Sequence, residues 1–247
     1  MNLSEFFTSH PKAALGFSGG VDSAYLLWAA VQAGADVQPY FVKTPFQPQF
    51  ELEDAKTLTA QLGVALRVIE LDVLACPTVA ANPADRCYHC KQAMFTALRQ
   101  RALSDGYTVL LDGTNASDEA GDRPGMRALR ELEVLSPLRL CGLTKDEIRR
   151  RSNDAGLFTW NKPAYACLAT RIPAETAIDR ETLRHVEAAE AALSQLGFRD
   201  FRVRVFHGAA RIQLPQTQFP TDHARYHAIL TAVQPHFPQV LLDLQPR

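Results

Sequence analysis

The sequence predicts an α/β fold, a parallel sheet with helices on both faces, followed by a small C-terminal α+β domain. Three observations predict it. Short apolar runs alternate with helix-period stretches through the first 155 residues, which is the pattern of a sheet buried on both faces. A glycine-rich turn, Ser18-Gly19-Gly20-Val21-Asp22-Ser23, sits between the first strand and the first helix. After about residue 172 the order becomes helix, strand, strand, helix, strand. At 247 residues the chain is long for one domain. The expected division is an α/β domain over 1–160, a cysteine-bearing linker over 161–173, and a small α+β domain over 174–247.

The elements follow in order. Ala13–Phe17 reads as a buried strand and Ser23–Ala33 as a helix closed by Gly34. Val37–Val42 is a second strand, Phe50–Leu62 a helix ending at Gly63, and Leu66–Leu71 a third strand. Cys90–Leu103 reads as a helix, Thr108–Asp112 as a strand, and Thr144–Ala155 as a helix capped by Thr144 and stopped by Gly156. In the second part, Asp179–Leu196 is a long amphipathic helix, Phe201–Phe206 and Arg211–Leu214 are strands, Thr221–Val233 is a helix and Gln239–Leu242 a last strand.

Composition narrows the functional classes. With 47% hydrophobic and 21% charged residues the chain is an ordinary globular protein, not a disordered one. No apolar run approaches the length of a membrane span, and the start, Met1-Asn2-Leu3-Ser4-Glu5, lacks a basic-then-apolar leader, so a cytoplasmic protein is expected. A net charge of −1 argues against a general nucleic-acid binder. Residues 1–80 hold 4 basic and 8 acidic side chains, leaving the remainder mildly cationic, which suits a phosphorylated small substrate. Five cysteines without an export signal are to be judged as ligands, nucleophiles or core residues rather than as disulfides.

The turn Ser18–Ser23 lies where a strand feeds a helix, so its backbone N–H groups and the helix N-terminus favour a phosphate. Ser18 and Ser23 supply hydroxyls, Gly19 and Gly20 allow close approach, and Asp22 could hold a magnesium ion. No lysine follows as in the GxxxxGK[ST] loop. SGGVDS resembles the PP-loop of the ATP pyrophosphatase superfamily. That resemblance implies an adenine nucleotide alpha hydrolase-like sheet that binds ATP, adenylylates a substrate oxygen and releases pyrophosphate.

Cys87-Tyr88-His89-Cys90 is a C-x-x-C at the entry of a helix, and Cys167 lies 77 residues beyond it. The pair alone would serve redox chemistry, four ligands with His89 would serve structural zinc, and three cysteines would hold an iron–sulfur cluster with one open iron. Two buried thiols without function are the alternative, and for Cys76 and Cys141 that reading is preferred.

In the helix from Asp179, Glu190 falls inside the apolar stripe of Leu183, Val186, Ala189, Leu193 and Leu196. A carboxylate there needs a cation, a donor or a cleft, and an arginine-paired structural role is the plain alternative. Arg202 and Arg204 are two residues apart on a strand, so they share a face and could grip a phosphate; a solvent-facing strand surface is the other reading.

Further stretches carry a closer resemblance: Arg86-Cys87-Tyr88-His89-Cys90-Lys91, Asp112-Gly113-Thr114-Asn115 with Asp118, Arg123-Pro124-Gly125, Ser136-Pro137-Leu138, and Pro163 through Pro173. Across nearly its whole length the chain is similar to LarE-type sulfur transferases. These adenylylate the carboxylates of pyridinium biscarboxylic acid mononucleotide and replace them with thiocarboxylates, toward the nickel-pincer cofactor. The resemblance implies that Cys167 carries the sulfur chemistry, either by sacrificing its own sulfur or, with Cys87 and Cys90, by holding a 4Fe–4S cluster that carries hydrosulfide. Because both further cysteines are present, the cluster type is expected, with zinc as the alternative occupant. It further implies ATP near Gly113, Asn115 and Asp118, a metal or catalytic role for Glu190 beside Asp22, and a substrate phosphate on Arg202 and Arg204. Arg171 would steady charge beside Cys167 and the phosphate. Where Gln213 stands the family usually has a carboxylate, so either a magnesium role has moved to Glu190 and Asp222 or this branch differs in mechanism or substrate.

The expected function is thus an ATP- and Mg2+-dependent, AMP-forming sulfurtransferase of homo-oligomeric organisation, acting on a small mononucleotide with sulfide or another sulfur donor and without a membrane partner. A tRNA thiolase using the same loop and cluster, a zinc- or nucleotide-binding module without turnover, and an amide-forming ligase are the competing readings.

Overall fold

The computed structural model describes residues 1–118 and 123–247. In chain order the elements are α1 (Leu3–Ser9), β1 (Lys12–Gly16), α2 (Val21–Gln32), β2 (Asp36–Lys43), α3 (Gln49–Gln61), β3 (Arg67–Glu70), α4 (Pro77–Ala80), α5 (Arg86–Ser104), β4 (Leu110–Leu111), α6 (Pro124–Glu131), α7 (Pro137–Leu140), α8 (Lys145–Asp154), α9 (Arg180–Gln195), β5 (Arg202–Phe206), β6 (Ala209–Gln213), α10 (His223–Val233) and β7 (Val240–Leu242). They form two compact units. Met1–Val73 with Asp85–Lys162 make the first, and Leu74–Ala84 with Pro163–Arg247 the second.

The first unit is built on a parallel sheet of order β3-β2-β1-β4. Period-two alternation sorts its side chains to two faces. Ala13, Leu15, Val37 and Phe41 join one core with α1, α2, α3 and α8, while Ala14, Tyr40 and Val42 join another with α5 and α6. The α/β fold expected from the alternation is the one observed. β4 is shorter than the run Thr108–Asp112, because the sheet hands over there to a single parallel bridge between Leu111 and Leu135.

Several helices differ from the sequence reading, among them α2, which starts at Val21 rather than Ser23, and the unanticipated α4 and α7. α5 starts at Arg86 rather than Cys90, with Asp85 at its N-cap, so both cysteines of the C-x-x-C lie within its first turns. The N-terminal helix α1 was not anticipated. Its start is a capping box in which the Asn2 side chain accepts from Glu5 N and the Glu5 carboxylate accepts from Asn2 N. α6 begins on Pro124 at a first-turn position, where the missing N–H costs nothing. The cap Thr144 stands where the sequence places it, while Asp179, read as the first residue of α9, is its N-cap.

The second unit is a three-stranded sheet of order β5-β6-β7, antiparallel between β5 and β6 and parallel between β6 and β7. α9 and α10 pack together, and α9 buries Leu183, Val186, Ala189 and Leu193. The segment Leu74–Ala84 is fastened here. Asn82, 1% exposed, donates from Nδ2 to Pro173 O at 2.8 Å and Thr176 O at 3.0 Å, and Ile178 N donates to Ala80 O at 2.7 Å. Among the described residues no helix is long and apolar enough to cross a membrane.

Candidate functional site

In the first unit the site is built at the carboxyl ends of the strands, where parallel sheets leave a crevice. β1 ends at Gly16 and α2 begins at Val21, so Ser18–Gly20 form the turn. Gly19 has φ +69, and a Cβ there would stand 3.1 Å from Ala55 N. The N-cap Gly20 offers no side-chain cap, which leaves the first N–H groups of α2 to a ligand. The Ser18 hydroxyl accepts from Gly20 N at 3.3 Å and lies 3.2 Å from the Ser23 hydroxyl.

Asp22, in the first turn of α2, is where three chain segments meet. Its Oδ2 takes the Lys145 ammonium at 2.5 Å and its Oδ1 the Asn115 amide at 3.3 Å. Burial raises the Asp22 carboxyl above the usual carboxylate range, against the lowering influence of Lys145. Asn115 is itself fixed, since its N–H donates to Asp118 Oδ2 at 2.9 Å and its Oδ1 accepts from Ser117 N at 2.8 Å. Lys145 opens α8, with its N–H on Ser117 Oγ at 2.9 Å. Gly113 presses on the same helix start: a Cβ there would stand 3.0 Å from Ser23 N. The buried Asp112 behind it accepts from Thr114 and from Ser136 Oγ at 2.6 Å. The structure therefore gathers Asp22, Gly113, Asn115 and Asp118, expected around one nucleotide, at the SGGVDS turn. It adds Lys145, which sequence reasoning missed because nothing local marks a lysine 123 residues from its partner. Arg139, whose Nη2 donates to Asp118 O at 3.2 Å, has a buried Nη1 without a hydrogen-bond partner. Such an orphaned cationic donor beside this loop suits a phosphate.

Of two cavities in this unit, one reaches the turn and the other the loop of Thr114 and Asp118. One of about 130 Å³ is walled by Phe17, Tyr40, Val42, Met94, Phe95 and Leu98 at the ends of β1 and β2, and Ser18 reaches its edge. Its apolar, narrow form suits an aromatic base. The other, about 350 Å³, is lined by Cys87, Lys91, Thr114, Asp118, Arg123 and Gly125. It joins one thiol of the C-x-x-C to the loop that carries Asn115. Cys87 is exposed on α5 with the Arg86 guanidinium 3.7 Å from its sulfur, and Cys90, half-buried, lies 3.7 Å from the Met94 sulfur. Two soft donors one helical turn apart fit a thiophilic metal or cluster. Glu131 of α6 steadies that turn by accepting from Tyr88 Oη and Gln92 Nε2, each at 2.7 Å.

Cys167 belongs to the second unit, just before the single 3₁₀ turn Leu168–Arg171. All five cysteines are free thiols. Among the described residues no three His, Cys, Asp or Glu side chains gather into a metal-holding group. Glu190 is 5% exposed and satisfied inside its own unit. It receives Arg171 Nε at 2.7 Å and Nη2 at 3.3 Å, Tyr165 Oη at 2.5 Å and Val203 N at 3.0 Å. That is the arginine-paired arrangement weighed beside a metal role. Arg202 and Arg204 also have internal partners: the first donates to Phe201 O and Ala164 O, the second to Gln213 Oε1 and Thr170 O. Burial lowers both guanidinium groups, that of Arg202 to about 10, with the Arg171 charge adding to it. Gln213 bridges Arg204 to Asp243, so the carboxylate absent at 213 stands one hydrogen bond away, 2.9 Å from Gln213 Nε2. Asp222 caps α10 by accepting from Arg225 N at 2.8 Å.

No family model matches the chain. A pyridinium-3,5-bisthiocarboxylic acid mononucleotide synthase of Lactiplantibacillus plantarum is 31% identical over 209 residues, 84% of this chain and 76% of that protein. An uncharacterized protein of Synechocystis sp. is 36% identical over 248 residues, covering 99% of this chain and 92% of the relative. A second uncharacterized protein, from Methanocaldococcus jannaschii, is 30% identical over 213 residues, or 86% and 81% of the two chains.

Proposed function

Because the chain belongs to the LarE family of pyridinium-3,5-bisthiocarboxylic acid mononucleotide synthases, we propose that it is an ATP-dependent sulfur transferase acting on the carboxylates of a pyridinium mononucleotide. The observation that carries the reading is the meeting of the SGGVDS turn, the Asn115–Asp118 loop and Lys145 around Asp22. Those groups fit a nucleotide triphosphate. The uncapped start of α2 and the Ser18 and Ser23 hydroxyls address its phosphates, and the apolar cavity beside Ser18 takes its base.

In this reading a substrate carboxylate attacks the α-phosphate of ATP. The acyl adenylate forms as the bond to pyrophosphate breaks, and the negative charge that develops on the leaving group is met by backbone N–H groups and Lys145. Magnesium held by Asp22 would neutralise further phosphate charge. Sulfur then adds to the activated carbonyl and AMP departs, leaving a thiocarboxylate. A 4Fe–4S cluster bound through Cys87, Cys90 and Cys167 would supply an iron site able to hold hydrosulfide. Arg204 serves the substrate phosphate, with one Nη nitrogen left over after Gln213 and Thr170.

The test is product analysis with ATP, Mg2+, sulfide and pyridinium-3,5-biscarboxylic acid mononucleotide. AMP and pyrophosphate should appear in proportion to thiocarboxylate, and neither without the mononucleotide. ADP as the nucleotide product, or AMP release that tRNA stimulates and the mononucleotide does not, contradicts the proposal.

A further inference from the structure

One face of the sheet in the second unit carries its arginines, and the pairing register fixes their order. Arg202 stands opposite Gln213 and Arg204 opposite Arg211 across β5 and β6, while Val203 and Ile212 are buried on the other face. Asp243 follows β7 and closes the row, with its N–H on Ile212 O at 2.9 Å. Gln213 spans this face with both ends of its amide. Its Oε1 accepts from Arg204 Nε at 2.7 Å, and its Nε2 donates to Asp243 Oδ2 at 2.9 Å. The other carboxylates nearby are committed, Glu190 to Arg171, Tyr165 and Val203 N, and Asp200 to Arg247.

Arg211 is poorly compensated. Its buried Nε has no hydrogen-bond partner, and Asp243 Oδ2 stands 3.6 Å away, beyond N–H···O length. Both Asp243 oxygens already accept elsewhere, from Gln213 Nε2 and from Gln245 N at 3.1 Å. The Arg211 guanidinium lies over the Phe206 ring at 5.3 Å, and its side chain is 37% exposed, so the charge is open to a ligand. Burial, with the charges of Arg171 and Arg211, lowers the neighbouring Arg204 guanidinium, the mark of cations crowded together.

We infer that Arg211 is a further ligand of the phosphate received at Arg204, and that Gln213 sets the charge of this site. The inference rests on the reading that Arg204 serves the substrate phosphate. Residues opposite each other on an antiparallel pair stand about 5 Å apart at Cβ, so two guanidinium groups there can take different oxygens of one phosphate. The amide of Gln213 holds Arg204 and Asp243 without adding charge. A carboxylate at 213 would sit against Arg204 Nε and compete with the ligand for that cation. Asp243 moderates Arg211 from 3.6 Å without capping it.

The experiment titrates inorganic phosphate into the full chain, followed by 31P NMR, with α,β-methylene-ATP and Mg2+ present so that the SGGVDS turn is filled. Arg211→Gln and Gln213→Glu should each weaken phosphate binding about tenfold, the first by removing a charged donor, the second by setting a charge against Arg204. Asp243→Asn keeps the shape and removes the opposing charge, so it should bind phosphate about threefold more tightly. Unchanged affinity in Arg211→Gln or Gln213→Glu, weaker binding in Asp243→Asn, or a wild type that takes no phosphate once the turn is filled overturns the inference. If Arg211→Gln unfolds, Gln213→Glu decides, because it changes the charge at nearly constant size. The sulfur-transfer reading fails separately, if phosphate binds as stated and pyridinium-3,5-biscarboxylic acid mononucleotide is not converted.

Discussion

At Asp22, burial and the Lys145 ammonium act in opposite directions on one carboxyl, and burial prevails. The sign has two consequences. A folded-state pKa above the unfolded one means that the folded protein holds this proton more tightly, so ionising Asp22 works against folding once pH exceeds the unfolded value. Asp22→Asn should therefore unfold in urea within about 1 kcal/mol of wild type at pH 7.5, or later, while losing Mg2+-dependent nucleotide binding. A large loss of stability contradicts the assignment. Nucleotide affinity in wild type should fall as pH drops through a midpoint above the ordinary aspartate value, and Lys145→Met should move that midpoint higher, because it removes the chief lowering influence. Titration calorimetry across a pH series measures both. At this scale Ser18–Ser23 was legible in the sequence because the residues are contiguous. Lys145, Tyr165 and Asp243 were not, since each acquires its role only by folding against a distant residue.

The elements hold the site by close approach as much as by side chains. Gly113 abuts the first turn of α2, and adding a methyl group at 113 would force Ser23 N away from 3.0 Å. Gly113→Ala should lower stability by about 1–3 kcal/mol, the usual cost of overpacking, and weaken ATP binding because the phosphate-facing N–H groups shift with the helix. A variant with wild-type melting and nucleotide affinity would show that the turn and the strand end are not coupled. Strands and long helices were legible from periodicity, and the cap Thr144 from its side chain. α1 is too short for periodicity and was announced only by its capping box, and α6 only by Pro124. The carboxylate of Glu190 was rightly placed on the buried stripe of α9, but its partners Arg171, Tyr165 and Val203 lie outside that helix, so periodicity could not reveal which need it meets.

Across the molecule, the chain contributes Leu74–Ala84 to the second unit before returning to the first at Asp85, two residues ahead of Cys87. A linear reading follows composition along the chain and has no means of detecting such an excursion. The segment is fixed by Asn82, buried with φ 59 and two side-chain bonds to the stretch after Cys167. Asn82→Ala forfeits both bonds and puts an alanine in the left-handed region, so it should cost about 2–4 kcal/mol in urea unfolding. A cost below about 0.5 kcal/mol contradicts the fastening role.

In the proposed reaction a carboxylate of a pyridinium mononucleotide, activated by ATP, takes up sulfur at Cys167. Mass spectrometry of both small molecules and protein after one reaction with isotopically heavy sulfide tests this directly. The account predicts heavy sulfur in the thiocarboxylate product, an intact Cys167 and no product from Cys167→Ser. A mononucleotide returned without sulfur, or one carrying light sulfur from a Cys167 converted to dehydroalanine, contradicts it.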